Sequence, residues 1–109
     1  MEVLHIVWDP QKEIDNMAKH HVSLEDAQFI FADPFRIDRR DDSEENTSGE
    51  DRRQSVGKVD ETYFVVYTER DFGDHEQVRL IMARLATPAE RKSYNGNDRK
   101  NNKGWSKAD

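Results

Sequence analysis

The sequence contains no cysteine. That excludes a disulfide framework and any thiolate metal site, and it is compatible with a reducing compartment without requiring one. Hydrophobic residues are also scarce, at 34%, where soluble domains usually reach ~45–50% with glycine included. A chain of 109 residues with so little apolar material fills one modest core and fits a single domain. No apolar run is long enough to cross a membrane, and Met1-Glu2-Val3-Leu4-His5 lacks the basic and apolar regions of a signal peptide. The expectation is a soluble, cytoplasmic protein with no membrane contact.

Positive charge is in deficit as well: 17 Lys and Arg stand against 23 Asp and Glu, a formal charge of −6. This argues against generic adhesion to nucleic acid. The deficit is uneven, however. Residues 42–51 hold Asp42, Glu44, Glu45, Glu50 and Asp51 with no Lys or Arg, which leaves room for a local basic site elsewhere. P-loop, GxSxG, dinucleotide and HExxH patterns are all missing. Adjacent His20 and His21 point in different directions along a helix and do not make a metal pair.

What is present reads as an α+β chain in the order β-α-α-β-β-β-β-α, an antiparallel meander packed against helices on one face. Val3 to Trp8 suits a strand, with Val3, His5 and Val7 on one side and Leu4, Ile6 and Trp8 on the other; His5 is expected to pack. Asp9-Pro10 opens a helix by capping and by proline at its first position, and Ile14, Met17, Ala18 and His21 follow at helical spacing. Ser23-Leu24-Glu25-Asp26 resembles a capping box with Asp26 in the acidic position. Leu24, Ala27, Ile30 and Phe31 give that helix a buried stripe, and Asp33-Pro34 ends it. Phe35 to Arg40 predicts a strand with Phe35 and Ile37 inward. The acidic 42–51 stretch predicts a flexible loop.

Arg52 to Val59 is a short strand, and Asp60-Glu61 a tight turn. Thr62 to Thr68, β-branched and aromatic on both faces, belongs at the centre of the sheet. Tyr63, Phe64 and Tyr67 are core residues rather than base-stacking platforms. A loop at Asp71 to His75 precedes a strand from Val78 to Ala83. Thr87-Pro88-Ala89-Glu90 caps a last helix running to Tyr94. Together these elements make one domain spanning 1–94. Residues 95–109 are polar, with Trp105 their one large apolar residue, and predict a disordered tail.

Several phrases in order resemble the BrnT family of ribonuclease toxins. They are Trp8-Asp9-Pro10-x-Lys12, Asn16, Lys19-His20-x-Val22-Ser23, Glu25-Asp26-Ala27, Phe31-x-Asp33-Pro34, Arg52-Arg53 and Val56-Gly57. Val65 to Arg70, Arg79 to Ala86, and Glu90-Arg91-x-x-Tyr94 complete the pattern over roughly 3–94. The resemblance implies a RelE-like fold and metal-independent RNA cleavage with no cofactor. It also implies a BrnA-like antitoxin with a ribbon-helix-helix part, so that DNA is met only through that partner. Two departures stand out. His21 occupies the place where the family has a glycine, and the acidic insertion is longer than usual.

Cleavage of this kind needs a base for the 2′-hydroxyl, cations for the crowded phosphorus and an acid for the leaving 5′-oxygen. General acid–base help supplies ~10²–10⁴-fold, and arginine meets phosphate with two parallel donors. Arg70 and Arg84 lead as phosphate-holding residues, each at the end of an apolar strand; pairing with Glu69 or Glu90 is the plain structural alternative. Lys19 and His20 end the first helix, where His20 suits proton transfer and where cations also simply favour the helix C-terminus. Glu69 is a candidate base. Glu90 is explained by the capping box. Arg91 and Tyr94 are candidate RNA contacts. The resulting reading is an endoribonuclease toxin. The acidic charge keeps a second open, a weak or inactive family member that binds an antitoxin and tunes repression; RNA binding without cleavage stands third.

Overall fold

The structure, a computed structural model, describes residues 3–42, 51–96 and 104–108. Among these residues six strands form one mixed sheet: β1 (Val3–Val7), β2 (Ile37–Arg40), β3 (Arg52–Lys58), β4 (Thr62–Asp71), β5 (His75–Leu85) and β6 (Ser106–Lys107), in the order β1-β5-β4-β3-β2-β6. The antiparallel run from β2 to β5 is the expected meander, with β4 inside the sheet. The sheet is not antiparallel throughout, because β1 lies parallel to β5. Three α-helices among the described residues, α1 (Pro10–His20), α2 (Leu24–Ala27) and α3 (Pro88–Tyr94), make this an α+β domain.

Both faces of the sheet are covered, against the expectation of one. On the first, Tyr63, Val65 and Tyr67 of β4 pack with Leu24, Ala27 and Ile30. The helix expected over 24–31 is α2 followed by a 3-10 helix over Gln28–Ala32. Gly57 permits its approach, since a Cβ there would lie 2.6 Å from the Cβ of Ile30. On the second face, Phe64, Val66, Val56 and Ile37 pack with Ala86 and Trp105, flanked by Tyr94 of α3.

Alternation on β5 is broken once. Tyr67 faces Leu80 while Val66 faces Met82, so Ile81 is an inserted residue. Such a bulge exchanges the faces of everything beyond it. Val78 and Leu80 belong to the first core, and so does Ala83, although its number has the opposite parity.

Helix α1 reverses its expected amphipathic sense. Ile14 is 61% exposed and Met17 45%, and the one buried residue is Asn16. Its side-chain amide donates to the carbonyls of Val22 and Ala83, both at 2.8 Å, and its Oδ1 accepts from the Ala83 N–H at 3.0 Å. This pairing lies beyond Arg79, where the β1–β5 ladder ends. Asn16 thus satisfies a strand edge with a side chain. His21 ends α1 with φ 58°, and its N–H bonds the Met17 carbonyl, so a non-glycine residue does take the left-handed cap. The acid completing the Ser23 cap is Glu13 of α1 rather than Asp26: Glu13 accepts from the N–H groups of Leu24 and Glu25.

Three further expectations are corrected. Phe35 is 63% exposed, because the turn after Asp33, whose carboxylate accepts the Phe35 N–H, delays β2 until Ile37. His5 is exposed and stacks on His75 with centroids 4.3 Å apart. The tail is packed over 104–108: Trp105 is buried against Phe64, and β6 pairs with β2. One indole buries roughly 150–250 Å², enough to hold the few residues beside it. Most of the acidic loop, 43–50, lies outside the described residues.

Replacing Asn16 by alanine should cost about 2–4 kcal/mol in urea unfolding, because buried backbone groups lose their partners. Asn16→Asp should cost at least as much, since a carboxylate cannot donate to the two carbonyls. A loss under about 0.5 kcal/mol, the size of an ordinary surface change, would show the pairing to be dispensable.

Candidate active site

Helix α1 stands beside the second face of the sheet and leaves a cleft of about 580 Å³. Helical spacing places Lys12, Asp15 and Lys19 on the side of α1 that borders it. Its floor is apolar, made by Phe64 and Val66 of β4 with Ile81 and Met82 of β5. Arg84, Arg52, Gln54 and Asp41 line it from the sheet, and His20 from the end of α1. Four permanent cations therefore meet two carboxylates at this cleft, despite the acidity of the whole chain.

Arg84 is tightly fixed. Its guanidinium lies over the Phe64 ring, 3.9 Å from the centroid, because Phe64 and Arg84 are cross-strand partners. Two bonds of 2.8 and 2.9 Å tie it to Glu90. Glu90 also accepts the Thr87 N–H at 2.8 Å, so one carboxylate both caps α3 and holds Arg84. Burial alone would raise the Glu90 pKa; the Arg84 and Thr87 hydrogen bonds outweigh it and hold the carboxyl below its ordinary value.

His20 is held below its ordinary pKa of 6.5, first by burial and then by the positive charge of Lys19 and Arg84 and by His21. Its ring is consequently neutral at pH 7 and able to accept a proton. Asp41 is buried, accepts from Gln54 at 2.9 Å and lies 3.5 Å from Arg52. Gln54 in turn accepts from Arg39 at 2.7 Å, and Arg39 stacks on Trp105. The packed tail is linked in this way to the cleft wall.

Of the residues singled out from sequence, Arg84, Lys19 and His20 come together here. Glu69 and Arg70 do not. They line a smaller cleft of about 210 Å³ with Asp51, Thr68, Gln77 and Arg79, and Glu69 lies 4.0 Å from Arg53. Arg91 donates to the Ala86 carbonyl. Tyr94 donates to Asp33 at 2.6 Å; burial, that bond and the Asp33 charge push its pKa up to about 12. It ties α3 to the turn before β2. Lys12, Arg52, Asp41 and Gln54 were missed as site residues, although Lys12 is seven residues from Lys19, hence on the same helix face.

Residues 8–90 match the family described as the ribonuclease toxin, BrnT, of type II toxin-antitoxin systems. This is most of the chain, and the protein belongs to that family. Such a membership carries a ribonuclease toxin's activity, with RNA as substrate and a protein antitoxin as partner. No curated protein matches the chain. No helix among the described residues is long and apolar enough to cross a membrane.

Folding lowers the Glu90 pKa, so its stabilisation is complete well above 4.5 and is lost as pH falls through the folded value. Glu90→Gln should therefore lower stability at pH 7 by about 1–3 kcal/mol, with the gap to wild type closing on acidification. A gap that stays constant from neutral to strongly acidic pH would contradict this role.

Proposed function

We propose that the protein is a metal-independent endoribonuclease whose chemistry takes place in the cleft between α1 and the sheet. The observation that carries this reading is the convergence of Lys19 and His20 from α1 with Arg84 from β5 on one apolar-floored cleft. His20 takes the proton from a ribose 2′-hydroxyl. The freed oxygen attacks the adjacent phosphorus, and the bond from phosphorus to the 5′-oxygen breaks. Arg84 faces the charge that builds on the non-bridging oxygens, where an oriented donor counts most. Lys19 donates a proton to the departing 5′-oxygen. The products are a 2′,3′-cyclic phosphate and a 5′-hydroxyl. Glu69 and Arg70 have no part in these steps, because they line the other cleft.

The same reading takes the fold as RelE-like and sets the toxin in the cytoplasm, neutralised by a BrnA-like antitoxin whose ribbon-helix-helix part alone meets DNA. Exposed Ile14, Met17, Phe29 and Phe35 supply apolar surface that a protein partner would cover. One observation favours the second reading, that of a weak family member retained for antitoxin binding. The fork of Arg84, its best phosphate-binding edge, is already taken by Glu90.

The test is cleavage of RNA by the purified, antitoxin-free protein in EDTA, with end-group analysis. Products with 5′-hydroxyl ends are expected. Arg84→Ala should lose about 10²–10³-fold in rate, with Arg84→Lys keeping the charge but not the fork. His20→Ala should lose about 10²–10⁴-fold. Because the neutral ring is the active form and its pKa is lowered, kcat/KM should fall with acid only below pH 6.5, and His20→Ala should remove that limb. A folded protein that cuts neither free RNA nor RNA on translating ribosomes would leave only the antitoxin-binding reading.

A further inference from the structure

We propose that Arg70 and Arg79 form a second phosphate subsite, which grips single-stranded RNA away from the phosphate that is cut. The proposal rests on the ribonuclease reading above and names the substrate class of that site.

Among the described residues, Arg70 and Arg79 are the two arginines with no hydrogen-bond or ion-pair partner; the others each meet a carboxylate, amide, hydroxyl or carbonyl. Both are exposed. They are neighbours, since Thr68 faces Arg79 and Arg70 faces Gln77 across the β4–β5 ladder. Residues on such a diagonal lie roughly 7–8 Å apart, within reach of one phosphate for two long side chains. Like charges set this close repel, and a shared anion relieves that repulsion. Thr68 and Gln77 add neutral donors to the same cleft. Of its two acids, Glu69 reaches toward Arg53, and Asp51 is exposed and keeps the subsite weak by itself.

The bulge at Ile81 turns this cleft and the first toward the same face of the sheet. It sets Arg79 and Arg84 on one face of the sheet despite their opposite parity. The row Arg52–Thr68–Arg79 lies between the two clefts. Phe64 and Arg70 are six positions apart on β4, about 20 Å at ~3.3 Å per residue. That span suits a strand crossing several nucleotides, as in other backbone-tracking grooves. A single strand is required, because attack by the 2′-oxygen in line with the 5′-oxygen needs a nucleotide released from helical stacking, and loose bases suit the apolar floor between the cationic ends.

The experiment measures binding of uncleavable 2′-O-methyl RNA by fluorescence anisotropy, using a dinucleotide, a strand of about twelve nucleotides and the same strand as a duplex. The Arg70→Ala/Arg79→Ala protein should bind the long strand at least about tenfold more weakly than wild type, with a salt slope reduced by ~0.7 per lost contact. Its affinity for the dinucleotide should be unchanged. The double lysine variant should recover most of the salt slope, which excludes a folding defect. Equal affinity and salt slope for the long strand in wild type and double alanine variant would overturn the subsite and leave the pair to an acidic protein partner. Duplex bound as tightly as single strand would overturn the substrate class. Cleavage of an unmodified dinucleotide needs no second subsite, so its failure alongside length-dependent binding would condemn the catalytic reading alone.

Discussion

The carboxamide of Asn16 is the contact on which the site's architecture rests. Strand β1 pairs with β5 only as far as Arg79, and beyond that point the edge of β5 still carries backbone groups that need partners. Asn16 supplies a donor and an acceptor to Ala83 and a second donor bond to Val22, so α1 takes over the edge from β1. One rotation of the helix is thereby fixed. Lys12, Asp15 and Lys19 border the cleft, Glu13 reaches the N-terminus of α2, and Ile14 and Met17 are left outside. The helix is held by a polar contact, and its apolar stripe remains available to a partner.

Glu90 couples the site to the fold in a comparable way. Its carboxylate closes the capping box of α3 and grips Arg84, which is pressed flat on Phe64. A guanidinium held by a carboxylate and a ring face loses little freedom when it meets a charged ligand, which is the advantage of preorganisation. The cost is that its fork is occupied. On the proposed reading a phosphate must approach another edge of Arg84 or displace Glu90, and Lys19 and Lys12, ammonium groups on flexible stems, would supply what Arg84 withholds. The acidity of the chain is thus compatible with an anion-binding cleft, because where its carboxylates stand matters more than their number.

Much of the fold was legible where local chemistry decides. The caps at Asp9, Ser23 and Thr87, the central position of β4 and the meander follow from residue types at short spacing. Tertiary demands hid the rest. Periodicity assigned the buried side of α1 to Ile14 and Met17, because no local rule anticipates an asparagine filling a strand edge. The role of Glu13 in capping α2 spans eleven to twelve residues. Trp105 was set aside for its polar neighbours, although one indole suffices to seat it. Lys19, His20 and Arg84, singled out for their place in phrases that resemble the family, do line one cleft. Arg70 was placed with them because both arginines end apolar runs, and which cleft each would enter depends on distance along the sheet.

That distance is itself shaped by one inserted residue. With strict alternation on β5, Arg84 would share a face with Val78 and Leu80 and point into the first core, where a guanidinium without a partner is costly. Arg79 would lie on the opposite side of the sheet. The bulge at Ile81 exchanges the faces beyond it, so Ala83 enters the core in the place of a bulkier residue and Arg84 turns into the cleft. The exchange also brings Ile81 and Met82 in succession to the cleft floor. A single extra residue in a strand therefore does three things at once. It keeps the first core apolar, brings two successive apolar residues to the cleft, and aligns the cations of two clefts along one face, as the proposed path of a phosphate chain requires.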